Sequence, residues 1–489
     1  MNCEFTKRTL VFAILVILTA CAAPDSPDLD ASIPIETRVI APTATRVAAT
    51  PIALPKTIVD RYKVLAGDTL SSVAFRYNIA LEALMELNGI SDANALKIGQ
   101  ILKVPVTLSR AAPSESFIPD GEVVFGPAYE NFDVATFANS LNGYLAAYRQ
   151  SVEGETMTGA QIIQFVAERY SVGPRVLLTL LEMQSGWLTN SNVANIQYPM
   201  GLIDPTRQGL FFQASWAANH LNEGYYGKLS GRLTHLRFKD RARAFIPPSL
   251  NAGTLAVMNV LAQTDAFDVW QNQIGADGFI ATYRKLFGDP NQFAIETIVP
   301  RDVKQPALRL PWSDGEVWYF SGGPHTAWGD NGAWAAIDLS PNDIAGSGSC
   351  AVSRRYALAA ATGKVIRSDR GRVVIALNGN NFQGKGCALL YLHIAREGRI
   401  GEGVQVKVGD KIGRPSCEGG NADASHLHFG RMYNGQWIEP SIAPFVLSGW
   451  SISAGDQEYD GIISRGAENR EACNCRDDAL NGIVADGGK

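Results

Sequence analysis

The hydrophobic pattern of the 489-residue chain begins with an unbroken apolar run, LVFAILVIL, at residues 10–18 behind Lys7 and Arg8. This run is too short to span a bilayer but has the length of a signal-peptide core. Residues 21–59 are then dense in Pro, Ala and Thr, and the prolines interrupt any helix or central strand. We expect a signal peptide over 1–20 and a stiff, extended tether over 21–59.

Residues 60–106 have the pattern of a small, independent α+β unit. A strand over 62–64 precedes a helix in which Val73, Ala74 and Tyr77 recur at helical spacing. A second helix ends at Asn88-Gly89, and a returning strand covers 98–104. The predicted order is therefore strand, helix, helix, strand.

The middle of the chain is predicted to be mostly α-helical. Residues 107–130 contain several Pro, Ser and Gly and are predicted to be a linker. Over 131–300, apolar residues recur three and four apart, as at 162–170, 176–183, 211–219, 255–261 and 279–287. This spacing is typical of a helical domain with its own core.

The pattern changes to short apolar strands separated by Gly and Asn-Gly turns over 301–455. The predicted strands cover 317–320, 335–339, 356–360, 372–377, 388–394 and 427–433. We expect a predominantly antiparallel sheet domain here, followed by a C-terminal tail over 456–489. The chain as a whole is predicted to be multidomain.

Composition adds two constraints. The net charge of −5 argues against a nucleic-acid partner, which would favour a basic surface. The seven cysteines include no C-x-x-C motif, and five of them follow residue 349. If the chain is exported, disulfides among those five are expected, with one cysteine left over. Cys473 and Cys475 are one residue apart, an awkward spacing for pairing with each other.

Four of the six histidines fall in the predicted sheet domain. Strand alternation places His426 and His428 on one face, with Leu427 on the other. His393 closes a predicted strand, and His325 and Asp338 flank a Gly-rich stretch. Two imidazoles and a carboxylate suit Zn²⁺ with one position open for water, and further imidazoles could transfer a proton. His220 and His235 are predicted to be ordinary residues.

The sequence before Cys21, Leu18-Thr19-Ala20, resembles a bacterial lipobox. The resemblance implies cleavage before Cys21 and lipidation of that residue. The mature protein is then expected to be extracytoplasmic, in the cell envelope, and lipid-anchored to a membrane rather than embedded in it.

Residues 60–106 resemble the LysM module through YKVLAGDTLSSVAFRYNI, LMELNGI and LKIGQILKVP. The resemblance implies binding to the N-acetylglucosamine backbone of peptidoglycan or chitin. It places the groove between two loops, whose candidate glycan-binding residues are Gly67, Asp68, Thr69, Leu70, Leu96 and Ile98. The alternative is a structural module with a degraded groove.

The segment YSVGPRVLLTLLEMQSGW at 170–187 resembles lytic transglycosylases of the lysozyme-like superfamily. That family has a Glu before the Ser, where this chain has Gln184, which cannot give a proton. Three interpretations stay open: an inactive lysozyme-like domain that touches glycan, a plain helical spacer, or a glycosidase that uses Glu182.

Residues 301–455 resemble the lysostaphin-type, or LytM-type, zinc endopeptidases. The shared motifs include His325, AID at 336–338, ATGKV at 361–365, YLH at 391–393, VGDKIG at 408–413 and HLHF at 426–429. The resemblance implies that His325, Asp338 and His428 bind zinc and that His393 and His426 are catalytic.

Two departures from that family pattern affect the site. His325 lies 13 positions before Asp338, whereas the family usually has a histidine four positions before it, where this chain has Trp334. Ala424-Ser425 stands where Gly-Pro is commoner. The Gly-rich TAWGDNGAW could form a longer loop that returns His325 to the metal; otherwise only two ligands remain.

Together, these resemblances imply a membrane-anchored zinc endopeptidase that hydrolyses stem or cross-link peptide bonds in peptidoglycan, held on its substrate by LysM. The alternative is a non-catalytic wall-binding scaffold, or an activator of another cell-wall hydrolase. A full set of nominal metal ligands favours the enzyme.

Overall fold

A computed structural model describes residues 56–295, 297–344 and 348–486. The predicted signal peptide, most of the predicted tether and the lipidation candidate Cys21 lie outside the described residues. Within them, no helix has both the length and the apolar character needed to cross a membrane.

The first unit has the predicted order of strand, helix, helix and strand. Its elements are β1 (Lys56–Lys63), α1 (Leu70–Tyr77), α2 (Leu81–Asn88) and β2 (Ile101–Leu108). The strands pair antiparallel from Lys56 opposite Leu108 to Lys63 opposite Ile101. Thr69 caps α1 by accepting a hydrogen bond from the Ser72 backbone NH. Residues 56–59, predicted as the end of the tether, belong to β1.

The middle region consists mainly of helices. These are α3 (Asp120–Val123), α4 (Val134–Ser140), α5 (Tyr144–Ala147), α6 (Gly159–Tyr170), α7 (Pro174–Ser185), α8 (Leu210–Ser230), α9 (Ala252–Thr264), α10 (Phe267–Gln273) and α11 (Phe279–Phe287). Short strands lie before and between them: β3 (Arg110–Ala111), β4 (Arg149–Val152), β5 (Glu155–Thr158), β6 (His235–Arg237) and β7 (Arg243–Phe245). Helices α8 and α9 touch at Gly224, where a Cβ would lie 2.7 Å from the Ala256 Cα.

The last region is built from antiparallel strands. They are β8 (Val317–His325), β9 (Ala336–Pro341), β10 (Ala357–Leu358), β11 (Gly363–Asp369), β12 (Arg372–Ala376), β13 (Cys387–Leu392), β14 (Gln405–Val406), β15 (Lys411–Gly413), β16 (Leu427–Tyr433), β17 (Gln436–Trp437), β18 (Phe445–Leu447), β19 (Trp450–Ala454), β20 (Gly461–Arg465), β21 (Glu468–Glu471) and β22 (Gly482–Val484). The central sheet has the order β14-β11-β12-β13-β16-β9-β8-β22, with β17 paired to β16. Strands β18 to β21 form a second sheet, and β10 pairs with β15.

The two faces of the central sheet pack against different parts of the chain. One face contributes Val373, Ile375, Tyr391 and Phe429 to a core within the β region. The other packs on the helical region; its apolar residues are Ile366, Val374, Ala388, Leu390, Leu392, Met432 and Trp437. Alternation along each strand produces this division. The helical region thus shares a core with the sheet and is not a separate spacer.

Two segments differ from their predicted character. The predicted linker, 107–130, contains β3 and α3, and it buries Ile118, Val123 and Phe125 against the helices. The predicted tail, 456–489, contains β20 to β22, of which β22 adds a strand to the central sheet beside β8. Both segments contain apolar residues that are buried in the fold. These residues are spaced irregularly among Pro, Gly and charged residues, so the sequence pattern does not reveal that the segments are folded.

Two disulfides are present, Cys350–Cys417 and Cys473–Cys475. Cys473 and Cys475 pair despite their awkward spacing in the sequence, because the bend at Asn474 brings their Cα atoms within 5.1 Å. Cys387 is the free cysteine of the described part of the chain.

Candidate metal centre and active site

His325 reaches Asp338 because the two residues lie on adjacent antiparallel strands. Along β8 and β9, Gly322 is opposite Asp338 and His325 is opposite Ala336, with irregular register on either side of Gly322. The residues between His325 and β9 form the loop of a hairpin, so 13 positions of sequence become a short distance in space. At Gly322 a Cβ would lie 2.9 Å from Asp338 Oδ2, which leaves no room for a larger residue.

His428 joins this pair from the next strand. It is opposite Asp338 in β9 and opposite Leu392 in β13. Since Leu392 belongs to the face that packs on the helices, the predicted site lies on that same face. His325, Asp338 and His428 are all buried, at 2%, 9% and 6% exposure.

The three candidate ligand atoms lie close together. His428 Nδ1 is 3.0 Å from His325 Nε2 and 3.2 Å from Asp338 Oδ1, and His325 Nε2 is 3.4 Å from Asp338 Oδ1. Tetrahedral ligands at about 2.0 Å from zinc are about 3.3 Å from one another. The donor set and its spacing therefore fit a zinc ion. Among the described residues this is the group of His, Cys, Asp and Glu that could hold a metal.

Backbone carbonyls hold both imidazoles in the orientation a metal needs. The Gly323 carbonyl lies 2.8 Å from His325 Nδ1, and the Ala327 carbonyl lies 3.0 Å from His428 Nε2. A carbonyl only accepts, so each of these nitrogens carries the proton and donates. The lone pairs of His325 Nε2 and His428 Nδ1 then face each other and Asp338, the arrangement that a cation stabilises.

His393 and His426 lie beside this group and are held in the same way. His393 Nδ1 donates to the Glu418 carbonyl at 2.9 Å, and His426 Nδ1 donates to the Ala424 carbonyl at 2.8 Å. The two ring centroids are 4.6 Å apart, and His426 Nε2 is 3.3 Å from Asp338 Oδ1. His393 has a φ of 63°, a left-handed backbone that is uncommon for this residue type.

Burial and the charge of Asp338 together shift the pKa values of the clustered side chains. It lowers the pKa of His393 to about 3 and that of His325 to about 4, although the charge of Asp338 acts in the opposite direction on both. Burial also opposes ionisation of Asp338, but the neighbouring imidazoles outweigh it and its pKa lies well below the ordinary value. Burial likewise disfavours charge on His426, yet Asp338 raises its pKa overall. At neutral pH, His325 and His393 are thus uncharged, with free lone pairs.

Ser425, one of the departures from the family pattern, fixes the approach to His426. Its NH donates to the Ser349 carbonyl at 2.8 Å and its hydroxyl to the Ala351 carbonyl at 2.6 Å. The neighbouring disulfide, Cys350–Cys417, joins the two segments that flank this contact. A serine at this position therefore holds the start of the H-x-H strand through hydrogen bonds.

Tyr459 belongs to the site but lies in the predicted tail, and the sequence contains no signal that points to it. Its ring stacks on His325 with centroids 4.1 Å apart and planes at 19°. Burial, helped by the charge of Asp338, raises the pKa of Tyr459 to about 12, so its hydroxyl stays protonated. The adjacent Glu458 carboxylate accepts hydrogen bonds from the Thr326 NH and hydroxyl, which holds this segment against His325.

The helical region supports the loop between His325 and Asp338. Asn219 of α8 accepts a hydrogen bond from the Asp330 NH at 2.7 Å. Arg232, just after α8, donates to the Gly332 carbonyl at 2.9 Å and lies over the Trp334 ring. Trp334, at the usual family position of the first histidine, therefore packs on arginine. The same loop contributes the Ala327 carbonyl that orients His428.

The candidate glycan-binding residues of the first unit differ in their surroundings. Gly67 has open space around it and a φ of +88°, and Ile98 is 74% exposed. Leu70, in contrast, is 1% exposed and packs in the core, so its side chain cannot contact glycan. The Asp68 carboxylate accepts hydrogen bonds from Tyr62, the Leu65 NH and Arg76, and Thr69 caps α1. Leu96 is half-buried against the same core.

Glu182, the candidate acid of a glycosidase, is occupied at the end of α7. Its carboxylate accepts hydrogen bonds from the Leu188 NH at 2.9 Å and the Thr189 NH at 3.2 Å. Gln184 lies against Gly201, where a Cβ would be 3.0 Å from Gln184 Oε1. Glu182 thus stabilises the chain that follows α7, and the position of Gln184 holds no proton donor.

Comparison with protein families assigns three domains to the chain. The LysM domain matches residues 62–105, the N-terminal domain of LasA matches 116–301, and peptidase family M23 matches 350–440. The chain contains these three domains in this order. The M23 match includes His393, His426 and His428, whereas His325 and Asp338 lie before it.

Protease LasA of Pseudomonas aeruginosa is 27% identical over 365 residues, which are 71% of this chain and 80% of that protein. The N-acetylmuramoyl-L-alanine amidase XlyB of Bacillus subtilis is 38% identical over 65 residues, which are 13% of this chain and 20% of the amidase.

Two solved structures are similar to part of this chain. The M23 metalloprotease pseudoalterin, from the deep sea, is 25% identical, with a TM-score of 0.29, over 34% of this chain and 96% of that one. The catalytic domain of lysostaphin from Staphylococcus simulans is 22% identical, with a TM-score of 0.19, over 25% and 88%.

Proposed function

We propose that this chain is a zinc endopeptidase that hydrolyses peptide bonds in the stem or cross-link peptides of peptidoglycan. The observation that supports this most strongly is the convergence of His325 Nε2, Asp338 Oδ1 and His428 Nδ1 within 3.4 Å of one another. The M23 and LysM domains, together with the similarity to a protease and to a cell-wall amidase, favour peptidoglycan as the substrate.

His393 and His426 are proposed as the catalytic pair. A zinc ion held by the three ligands supplies Lewis-acid activation of the peptide carbonyl and of water. His393, neutral and with Nδ1 bound to a carbonyl, presents Nε2 as the base that accepts a proton. His426, oriented by the Ala424 carbonyl, is placed to donate a hydrogen bond to the oxygen on which negative charge develops.

The location is proposed from the parts of the chain outside the described residues. Cleavage of the signal peptide over 1–20 and lipidation of Cys21 would place the protein in the cell envelope, extracytoplasmic and anchored to a membrane. The tether that follows lets the folded part reach peptidoglycan. Radiolabelled fatty acid incorporated by the wild-type chain but not by Cys21→Ala tests this proposal.

The activity itself is tested with the whole folded chain, loaded with one equivalent of zinc and incubated with purified peptidoglycan. Peptide hydrolysis releases new amino groups, whereas a glycosidase releases reducing sugar ends. We expect amino groups alone. Amino-group release that persists unchanged after zinc is removed by a chelator contradicts the mechanism, and reducing ends would instead favour glycan cleavage by the helical region.

We propose the Tyr459 hydroxyl as a second donor, beside His426, to the oxygen on which negative charge develops. Tyr459→Phe is then expected to lower kcat about 100-fold with zinc content unchanged, since loss of one such donor costs about 10²–10³ in rate. Phenylalanine keeps the stacking on His325 but removes the protonated hydroxyl. The matched control is Tyr319→Phe, which removes a hydroxyl that donates to Asp478. A Tyr459→Phe enzyme with the wild-type kcat excludes a role for the hydroxyl.

Ile98→Asp is expected to weaken binding to insoluble peptidoglycan about tenfold, because an apolar side chain buried against a ligand contributes about 1.5–3 kcal/mol. Ile98 is exposed in the free protein, within the predicted groove. Phe75→Asp is the control, since Phe75 is 88% exposed and lies outside the groove segments. Co-sedimentation measures both. Equal loss of binding in the two variants contradicts the proposed groove.

A further inference from the structure

The LysM domain is connected to the helical region without a slack linker. One residue separates β2 from β3, and β3 pairs in parallel with β7 of the helical region, with Arg110 opposite Ala244 and Ala111 opposite Phe245. The Ala112 NH then donates to the Phe245 carbonyl at 2.9 Å. The chain therefore leaves the LysM domain along a fixed path.

Side chains also hold the LysM domain in place. Asp60 of β1, 6% exposed, accepts a hydrogen bond from Arg237 Nη2 at 2.8 Å, with His235 Nε2 3.7 Å away. Lys56 lies over the Phe245 ring, 4.2 Å from its centroid, and Arg243 lies over the Tyr77 ring, 4.9 Å from its centroid. A buried carboxylate must keep its partner, so Asp60 favours this one orientation.

The same domain also touches the loop that completes the active site. Arg61 Nη2 donates to the Asp456 carbonyl at 3.1 Å, three residues before Tyr459, which stacks on His325. This exposed hydrogen bond adds little stability, but it shows that the LysM domain lies next to the segment that carries Tyr459. The chain spans six residues from Gly67 to Arg61 and three from Asp456 to Tyr459. The maximum extension of these two segments, joined through the hydrogen bond, limits the distance between the groove and the metal site to about 45 Å.

We infer that the LysM domain and the metal site form one recognition surface, whose substrate is peptide still attached to the glycan strand held by LysM. This inference rests on the proposed function. One peptide confined within about 45 Å of the site has a local concentration of about 4 mM. Free peptide at micromolar concentration is far more dilute than this. The fixed position of the LysM domain also orients the attached peptide relative to the metal site.

The test compares two soluble substrates with the same cross-linked peptides. One is a muramidase digest, in which the peptides remain on short glycan chains; the other is the same digest after an N-acetylmuramoyl-L-alanine amidase has released them. For the whole folded chain with zinc, we expect kcat/KM to be about 100-fold higher on the attached peptides. Equal kcat/KM values overturn the inference and leave the proposed function intact. If neither substrate is hydrolysed, both the inference and the proposed function are overturned.

Two variants separate fixed docking from simple tethering. Asp60→Arg places a cation against Arg237. A 40-residue Gly/Ser insertion at Ser109 joins the LysM domain to the helical region by a flexible linker with an r.m.s. end-to-end distance of about 35 Å. Both should leave free-peptide hydrolysis unchanged and lower the preference for attached peptide at least about fivefold. Glycan co-sedimentation confirms that the LysM domain stays folded. A preference unchanged in both variants overturns the inference.

Discussion

His428→Ala loses bound zinc and at least about 10³-fold of peptidase activity, because metal activation contributes several kcal/mol to transition-state stabilisation. His428 is opposite Asp338 in the sheet, and its Nδ1 is 3.0 Å from His325 Nε2, so the substitution removes one of the three candidate ligands. Zinc content by atomic emission, together with amino-group release from peptidoglycan, measures the two losses.

The control for this substitution is His220→Ala. His220 lies on α8, where its Nδ1 is 2.6 Å from Glu223 Oε2, and among the described residues it belongs to no group that could hold a metal. Its removal should change neither zinc content nor rate. A His428→Ala chain that keeps both one zinc and its activity would show that the metal lies elsewhere.

Arg175→Met destabilises the fold by about 3–5 kcal/mol, because it leaves the buried carboxylate of Glu122 without its counter-charge. Glu122 is fully buried and accepts two hydrogen bonds from Arg175, at 2.7 and 2.9 Å. The hydroxyls of Tyr129 and Tyr283 also donate to it. The free energy of unfolding from denaturant titration measures the effect.

Lys385→Met is the matched control, since it breaks an exposed pair with Glu130 at 3.0 Å and should cost less than about 1 kcal/mol. The double variant Glu122→Gln with Arg175→Met should be more stable than Arg175→Met alone, because no unpaired buried charge remains. Arg175→Met as stable as Lys385→Met would contradict this view of the network.

Local patterns were sufficient to predict much of the fold. The strand, helix, helix, strand order of the LysM unit follows from helical spacing at Val73, Ala74 and Tyr77 and from the stop at Asn88-Gly89. Alternation around Leu427 placed His426 and His428 on one face, and the structure has both close to Asp338. In these cases the element buries one face only, so the spacing of apolar residues along the chain is enough to identify the side chains that point inward.

What the sequence could not predict depends on contacts between distant segments. The hairpin that returns His325 to Asp338 needs the irregular register around Gly322, which no periodicity reveals. Tyr459 lies in the connection between β19 and β20, where its carbonyl accepts a hydrogen bond from the Gly323 NH and its ring stacks on His325. No local pattern in the sequence reveals this contact. Strands β12 and β13 are apolar on both faces, which indicates that both faces are covered but not which segment covers them, so the core shared by helices and sheet was not predicted.

Shared packing places the helical region beside the candidate metal centre. Through Asn219 and Arg232 it holds the loop whose Ala327 carbonyl orients His428. Outer partners of this kind typically contribute 10–100-fold to metal affinity or activity. A plain spacer would make no such contacts, so we expect the metal centre to depend on the helical region.

The zinc content of the purified chain, measured beside that of His325→Ala, tests the central claim most directly. His325 is the ligand whose spacing departs from the family pattern, and its Nε2 lies 3.4 Å from Asp338 Oδ1. The account predicts one zinc per wild-type chain and loss of stoichiometric zinc in the variant. One zinc per chain in His325→Ala, bound as tightly as in the wild type, would contradict it.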